Sequence, residues 1–351
     1  MDRSRAYVTG CLLAATLLGA AGCGGGSKPA ATGGATTPSS AAATAAPPGA
    51  DGAGGAASAP SEDVAAGVKE YQAGDLATAK ASFEAAAKKN PNDADARYYL
   101  GLVADKQGDR AAAEAAYKEA LRLRPDHENA PVNLGALYID SERYDEALLV
   151  TRQALQKRPK TAALHVNLAV ALANKGDPGS SLRAFEEATR LAPNEAMFQL
   201  TYAHWLAIWK KTDDAASKLR AARPMAEGNL GVLAALGHEM RVIGDFEDCV
   251  PTYDKAIALK DAAELRTERA LCKLGAKDEP GALADLQAAV QKEPNYAPAH
   301  FYLGGRLAAA GKWKQVHAEY EAYLRLEPNG PMAKQAQERA KLAREKLGGK
   351  K

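Results

Sequence analysis

Histidines and cysteines are the residues of this chain that could most readily support catalysis or bind a metal. The sequence has six histidines and four cysteines. It contains no His-Glu-x-x-His, Gly-x-Ser-x-Gly, Cys-x-x-Cys or glycine-rich phosphate loop, and His238-Glu239 lacks the second histidine that a zinc site would need. We therefore expect no enzyme activity, no metal site, no cofactor and no small-molecule substrate.

The charge balance argues against a nucleic-acid partner. The 45 Lys and Arg residues are matched by 43 Asp and Glu residues, which leaves a formal net charge of +2. Proteins that bind nucleic acid carry a basic patch or a strong basic excess. We therefore interpret the closing Gly-Gly-Lys-Lys as a solvated tail.

A pattern repeated along the chain predicts the elements that must position these residues. In residues 94–127, a bulky residue precedes a glycine, a Gly-Asp pair follows, and small residues flank an aromatic ring before a proline. These residues are Leu100, Gly101, Gly108, Asp109, Ala113, Tyr117, Ala120 and Pro125. Apolar residues three and four apart predict two amphipathic helices, with Gly108 ending the first and Asp109 capping the second. The pattern also starts near residues 60, 128, 162, 196, 230, 263 and 297.

This pattern resembles the tetratricopeptide repeat, whose unit of 34 residues folds as two antiparallel helices. The resemblance implies an all-α fold, a right-handed superhelical solenoid of about eight helix-turn-helix repeats over residues 63–330, followed by a C-terminal capping helix and basic tail at 331–351. Pro224 should end one helix early, and Pro251 should kink or delay the helix that contains it. We expect the least regular repeats between about 210 and 265.

The first 23 residues resemble a bacterial lipoprotein signal. Arg3 and Arg5 precede a short apolar run, and small residues stand directly before Cys23. The resemblance implies a signal peptide at 1–22 and a lipidated Cys23 that carries palmitate. Because Gly24 follows the cysteine, the resemblance also implies anchoring in the outer membrane, with the solenoid in the periplasm. An ordinary secretory signal cleaved nearby is the alternative.

Residues 23–62 differ in composition from the rest of the chain. They consist almost entirely of Gly, Ala, Ser, Thr and Pro, without an aromatic or branched apolar side chain. Such a segment cannot bury enough apolar surface to fold. We therefore predict a disordered tether that joins the lipid anchor to the solenoid.

The family resemblance also implies a binding groove, because defined positions of each first helix line the concave face in this family. Many of these positions are apolar here, while a second apolar set occupies the packing positions. We therefore predict a partner-binding groove, with helix packing as the alternative. The groove residues are Tyr71, Tyr98, Leu102, Val132, Ile139, Val166, Val170, Leu200 and His204. Relatives that bind acidic C-terminal peptides carry a dicarboxylate clamp where Tyr98 and Leu102 stand, so we do not expect that ligand.

Two pairs of residues in the later repeats have more than one interpretation. His204 and His238 occupy the same position of adjacent repeats. They either share a metal-binding or pH-sensing role or act as separate groove histidines that hydrogen-bond a ligand. Trp205 and Trp209 lie one helical turn apart, which indicates packing more often than ligand binding.

Cys249 and Cys272 are the cysteines that remain beyond the signal and Cys23. The repeat pattern places Cys249 in the second helix of one repeat and Cys272 in the first helix of the next. In an oxidising periplasm they could form a disulfide. Two buried thiols that act as small apolar residues are the alternative.

The resemblance to repeat-containing lipoproteins implies a function in protein assembly. We interpret the chain as a non-catalytic scaffold on the outer membrane that captures a helix or an extended segment of a partner protein in its groove. It resembles pilotin-like lipoproteins, which assist assembly of type IV pilus secretins. The alternative is a scaffold for another envelope machine, such as a motility complex or a peptidoglycan-enzyme complex.

Overall fold

The computed structural model describes residues 62–348. The predicted signal peptide, Cys23 and residues 349–351 lie outside this range, as does the predicted tether apart from Glu62. The described helices are α1 (Glu62–Gln72), α2 (Leu76–Lys89), α3 (Ala94–Lys106), α4 (Arg110–Leu123), α5 (Ala130–Asp140), α6 (Tyr144–Lys157), α7 (Ala162–Asn174), α8 (Pro178–Leu191), α9 (Ala196–Ile208), α10 (Thr212–Ala222), α11 (Leu230–Ile243), α12 (Phe246–Leu259), α13 (Ala263–Gly275), α14 (Glu279–Lys292), α15 (Ala297–Ala309), α16 (Trp313–Leu326) and α17 (Ala333–Gly348). The prediction of an all-α repeat solenoid is confirmed.

The described helices fall into two compact units. The N-terminal unit contains residues 62–202, and the C-terminal unit contains residues 203–348, with the division inside α9. In each unit, the two helices of a hairpin pack against each other and against the next hairpin. The apolar side chains are therefore buried between helices of successive repeats.

In the α1–α2, α3–α4 and α7–α8 hairpins, the turn follows from a glycine and an aspartate. Gly108 has a φ of +80°, a left-handed conformation in which a side chain would be strained. The carboxylate of Asp109 then accepts a hydrogen bond from the backbone N–H of Ala112 at 3.0 Å, which caps α4. Asp75, Asp177 and Asp278 cap α2, α8 and α14 in the same way.

A large ring over a glycine sets the distance between the helices of a hairpin. A Cβ atom on Gly101 would lie 2.5 Å from the ring of Tyr117, and one on Gly237 would lie 2.6 Å from the ring of Tyr253. Both rings are fully buried. Only glycine therefore permits this close approach of α3 to α4 and of α11 to α12.

The two prolines in the irregular region have different effects. As predicted, α10 ends early, and a short 3₁₀ turn, Pro224–Ala226, follows it. The prediction that Pro251 delays its helix is wrong, because α12 begins directly after Asp245 and continues past the proline. Pro251 removes one backbone donor only, and its clash falls on the carbonyl four residues earlier, in the first turn of the helix, where the backbone can adjust.

Helix α17 closes the C-terminal unit. Its four alanines Ala333, Ala336, Ala340 and Ala343 are buried, and it packs against α16. Charged side chains cover most of its other faces. Neither α17 nor any other helix within residues 62–348 is long and apolar enough to cross a bilayer.

Candidate functional site

Most of the predicted groove residues are packed inside the repeats. Of the nine, Tyr71 and His204 are partly exposed. The side chains that are less than a tenth exposed are those of Tyr98, Leu102, Val132, Ile139, Val166, Val170 and Leu200. Their burial agrees with the packing alternative, and their role in partner binding stays a prediction. The first helices of successive repeats stand next to one another, so each covers apolar positions of its neighbour.

Polar contacts among these buried residues join consecutive first helices of the N-terminal unit. The side-chain amide of Asn133 on α5 donates to the hydroxyl of Tyr98 on α3 at 3.1 Å. The amide of Asn167 on α7 donates to the backbone carbonyl of Val132 on α5 at 2.7 Å. Tyr98 and Val132 therefore act in packing between repeats, whatever else they contact.

A partly exposed polar surface remains at the ends of the first helices of this unit. The ammonium of Lys106 lies 4.9 Å from the centre of the Tyr71 ring, a cation–π contact. Burial and the neighbouring carboxylate of Asp140 raise the pKa of Asp105. Tyr71, Lys106 and Asp105 thus offer a partner an aromatic ring, an ammonium and a carboxylate within a small area.

The C-terminal unit carries a larger set of polar groups on its first helices, which we call the polar strip. It consists of His204, His238, Glu239, Arg241, Glu264, Glu268 and Tyr302. At its start, Nδ1 of His204 on α9 lies 2.9 Å from Oε1 of Glu239 on α11. The Glu239 side chain is only 4% exposed, so this contact stabilises a buried carboxylate.

A second contact of the polar strip joins α11 to α13. Nε of Arg241 donates to Oε2 of Glu268 at 2.9 Å, and Nη2 of Arg241 lies 3.3 Å from Nδ1 of His238. Nδ1 of His238 is also 4.0 Å from the Glu268 carboxylate. Burial lowers the pKa of His238, and the positive charge of Arg241 lowers it further, which outweighs the opposing effect of Glu268. His238 is therefore neutral at pH 7 and accepts the Arg241 hydrogen bond.

The far end of the polar strip is acidic and aromatic. Burial raises the pKa of Glu264, and the carboxylates of Glu268 and Glu293 raise it further. Burial and Glu268 also raise the pKa of Tyr302, which keeps its hydroxyl protonated and able to donate. This end presents carboxylates and a phenol, which suits hydrogen-bond donors and cations.

Helix α13 separates its acidic and basic residues onto different faces. Arg269 and Lys273 bind the carboxylate of Asp285 on α14, with the Lys273 contact at 2.8 Å, and Arg266 lies 3.6 Å from the same carboxylate. Asp285 is 3% exposed. Glu268 of the same helix instead binds Arg241 and raises the pKa of Tyr302.

His204 and His238 form separate contacts, each with a glutamate from the helix of the next repeat. No group of three potential metal ligands occurs within residues 62–348. The rings of Trp205 and Trp209 are 5.7 Å apart, and both are partly exposed. The interpretation of both tryptophans as packing residues stays a prediction.

Cys249 on α12 and Cys272 on α13 form a disulfide in the structure, with Cα atoms 5.9 Å apart and both side chains fully buried. This Cα separation lies in the range that a disulfide requires. The bond joins the second helix of one repeat to the first helix of the next.

Sequence reasoning missed Arg241, Glu264, Glu268 and Tyr302 because attention to apolar positions excluded them. One feature of the sequence could have identified Glu264 and Glu268. Glu264 and Glu268 are like charges four residues apart, which destabilises an isolated helix. Such a pair indicates that tertiary contacts, or a ligand, compensate the repulsion.

Residues 64–128 and 132–196 match the tetratricopeptide repeat family. Among curated proteins, serine/threonine-protein phosphatase T of Trypanosoma brucei brucei is 35% identical over 79 residues, which are 22% of this chain and 17% of the relative. The chain thus matches about a sixth of that relative's length.

Solved structures resemble the chain in fold. Yeast Tom70 has a TM-score of 0.50 at 17% identity, over 78% of this chain and 59% of Tom70. A chain of the APC/C hetero-tetramer Cut9-Hcn1 has a TM-score of 0.48 at 15% identity, over 76% of this chain and 52% of its own length. Pseudomonas aeruginosa pilF has a TM-score of 0.47 at 21% identity, over 56% of this chain and 90% of its own length.

Solenoids of such repeats present extended surfaces that bind proteins or peptides, and they are generally not catalysts. The chain is an all-α repeat solenoid whose residues 64–128 and 132–196 match the tetratricopeptide repeat family.

Proposed function

We propose that the chain is a non-catalytic scaffold that binds a segment of a partner protein along its first helices. The observation that carries this proposal is the polar strip of the C-terminal unit, where Glu239 and Glu268 are largely withdrawn from water. Buried ionic groups contribute little to stability on average, because desolvation offsets their attraction. Their concentration on one face therefore favours a role in recognition.

The partner segment is recognised mainly through polar contacts. The apolar residues predicted to line the groove are covered by neighbouring helices, whereas His204 and Tyr302 of the C-terminal unit remain partly exposed. These groups donate and accept hydrogen bonds in fixed positions. An extended segment with polar side chains fits this surface better than the apolar face of an amphipathic helix.

The proposed place of action is the bacterial envelope, with Cys23 lipidated and the solenoid in the periplasm. The arginines, the apolar run and the small residues before Cys23 support this location. The Cys249–Cys272 disulfide supports it independently, because disulfides persist in oxidising compartments. Within the envelope, the scaffold assists assembly of a complex such as a type IV pilus secretin, or of a motility or peptidoglycan-enzyme complex.

Site-specific photo-crosslinking in cells tests the scaffold proposal. A photoreactive residue in place of Tyr302 or His204 should produce a crosslink to one partner protein, identified by mass spectrometry. The matched control replaces Lys118, an exposed residue of the second helix α4. Equal crosslinking from Lys118, or no crosslink from either strip position, would contradict binding at the first helices.

Membrane fractionation tests the location. Cys23→Ser should release the chain from the membrane fraction, and a palmitate label should be present on the wild type only. The proposed anchor is wrong if the variant stays with membranes and the wild type carries no label.

A further inference from the structure

Helix α13 is held to the preceding repeat by a disulfide and by two ion pairs, of which Arg269 with Asp254 at 2.6 Å reaches α12, as the disulfide does. On one side, the Cys249–Cys272 disulfide joins α13 to α12 covalently. On the other side, Arg241 on α11 binds Glu268 on α13 at 2.9 Å. The first contact does not depend on pH, whereas the second includes a titratable histidine, His238, at the same carboxylate.

The Arg241 contact requires a neutral His238. Nδ1 of His238 lies 3.3 Å from Nη2 of Arg241, and because arginine is always a donor, this nitrogen must accept. A proton on Nδ1 would abolish that hydrogen bond and place two positive charges beside one carboxylate. Protonated His238 would then compete with Arg241 for Oε2 of Glu268, from which it is now 4.0 Å away.

The remaining groups around His238 do not relieve this conflict. Glu239 on the same helix favours a proton on His238, but Glu239 is already bound to His204 of α9. His204 itself disfavours a second positive charge nearby. Helix α12 presents Cys249, Thr252 and Tyr253 to α11, and these three side chains are uncharged at neutral and mildly acidic pH. A proton on His238 therefore disfavours the contact between Arg241 and Glu268, and that contact disfavours the proton. The lowered pKa of His238 agrees with this.

The two first helices beside α11 are held to it by different contacts. Nδ1 of His204 on α9 lies 2.9 Å from Oε1 of Glu239 on α11, a contact that does not include His238. A proton on His238 weakens the contact of α11 with α13. Acid therefore weakens the contact between the α11–α12 and α13–α14 hairpins where α11 meets α13. The disulfide still joins α12 to α13.

We propose that the α11–α12 and α13–α14 hairpins form an acid-sensitive joint, which pivots about the Cys249–Cys272 disulfide when His238 gains a proton. Opening separates Arg241 from Glu268 and exposes the middle of the polar strip. The joint would change the surface offered to a partner without unfolding either hairpin.

Amide hydrogen exchange of the oxidised full chain tests the joint. After correction for the intrinsic pH dependence of exchange, opening of α11 and α13 should increase as pH falls below about 6.5, by at most about tenfold per pH unit for one linked proton, and should level off below the lowered pKa of His238 in the closed state. Exchange in α16 should not change. His238→Gln should abolish the increase, while the matched control His317→Gln, a histidine on α16, should retain it. A wild type whose α11 and α13 exchange independently of pH, or an increase that persists in His238→Gln, overturns the proposal.

Two further measurements keep the test decisive if His238→Gln does not fold. In the wild type, a nuclear magnetic resonance titration of the His238 ring should coincide with the exchange increase, and titration without that increase overturns the joint. In Cys249→Ala/Cys272→Ala, acid should also increase exchange in α12, because the pivot is lost. If the acid response stays confined to α11 and α13 in this variant, the disulfide is not the pivot.

Discussion

The N-terminal and C-terminal units use the same helical hairpins but join successive repeats by different chemistry. The position that holds Asn133 and Asn167 in two N-terminal repeats holds Glu268 and Tyr302 in two C-terminal repeats. The asparagines make neutral hydrogen bonds between helices, whereas Glu268 binds Arg241. Neutral amides keep their state at all ordinary pH values, but carboxylates and histidines do not. The comparison indicates that the repeat pattern does not specify this position, and that the C-terminal unit places titratable side chains there.

The largest expected effect tests whether the stability of each unit depends on a buried tyrosine ring of that unit. Tyr117→Ala and Tyr253→Ala should each lower the free energy of unfolding by about 4 kcal/mol, because each removes a fully buried aromatic side chain. Hydrogen exchange should show lost protection in the N-terminal unit for the first and in the C-terminal unit for the second.

Leu149→Ala and Leu259→Ala are the matched controls, because these side chains are 59% and 48% exposed. Both should change stability by less than about 0.5 kcal/mol. Loss of protection in both units from a single tyrosine variant would show that the units do not unfold separately.

The disulfide should stabilise only the C-terminal unit. Cys249→Ala/Cys272→Ala removes a bond that joins residues 23 apart in sequence, which should cost about 3 kcal/mol by the chain-entropy account. Urea denaturation followed by exchange in each unit measures this effect. A reductant should reproduce it in the wild type and leave the double variant unchanged. Unaltered stability of the reduced wild type would contradict a stabilising bond.

Replacing a buried carboxylate should reduce the free energy of unfolding more in the C-terminal unit than in the N-terminal unit. Asp285→Asn weakens contacts with Arg269 and Lys273 at a site that is 3% exposed, so we expect a loss of about 2 kcal/mol. Its N-terminal counterpart is Glu114, which accepts from Arg143 and is 20% exposed, and Glu114→Gln should cost about 1 kcal/mol. Chemical denaturation at pH 7 compares the two.

Both carboxylates should also contribute to acid unfolding. Hydrogen bonds from Arg143 and Lys118 lower the pKa of Glu114 to about 2. Burial alone would raise the pKa of Asp285, but Arg269 and Lys273 lower it overall. A lowered folded pKa means that the stabilisation is present above the unfolded pKa and is lost as pH falls through the folded one. Each substitution should therefore reduce the pH dependence of stability in this acidic range, and an unchanged pH profile would contradict the assignment.

The smallest expected effect concerns His300 in the C-terminal unit. Its hydrogen bond with Glu319 raises the pKa of His300. A raised folded pKa means that the stabilisation is complete below the unfolded pKa and is lost as pH rises through the folded pKa. Thermal unfolding between pH 5 and pH 9 should show this decline for the wild type and not for His300→Gln. His165→Gln in the N-terminal unit is the control, and a decline that survives in His300→Gln would exclude His300 as its source.

The sequence by itself determined the hairpins, because their signals are local. A left-handed conformation at Gly108, a cap at Asp109 and a glycine beneath Tyr117 depend on residues within one repeat. The early end of α10 before Pro224 follows from the chemistry of one residue. Eight such units read in succession were enough to predict an all-α solenoid.

Tertiary structure decided which residues face solvent and which charges meet. The repeat positions of Tyr98 and Val132 predict a groove surface, yet both side chains are buried between repeats. The pairing of Arg241 with Glu268 and the meeting of Cys249 with Cys272 depend on how one repeat is rotated onto the next. The repeat pattern specifies small and large residues at the contact between helices, but it leaves the remaining positions free. Their exposure, protonation and partners are therefore set by packing between repeats, and a sequence read one repeat at a time does not contain that information.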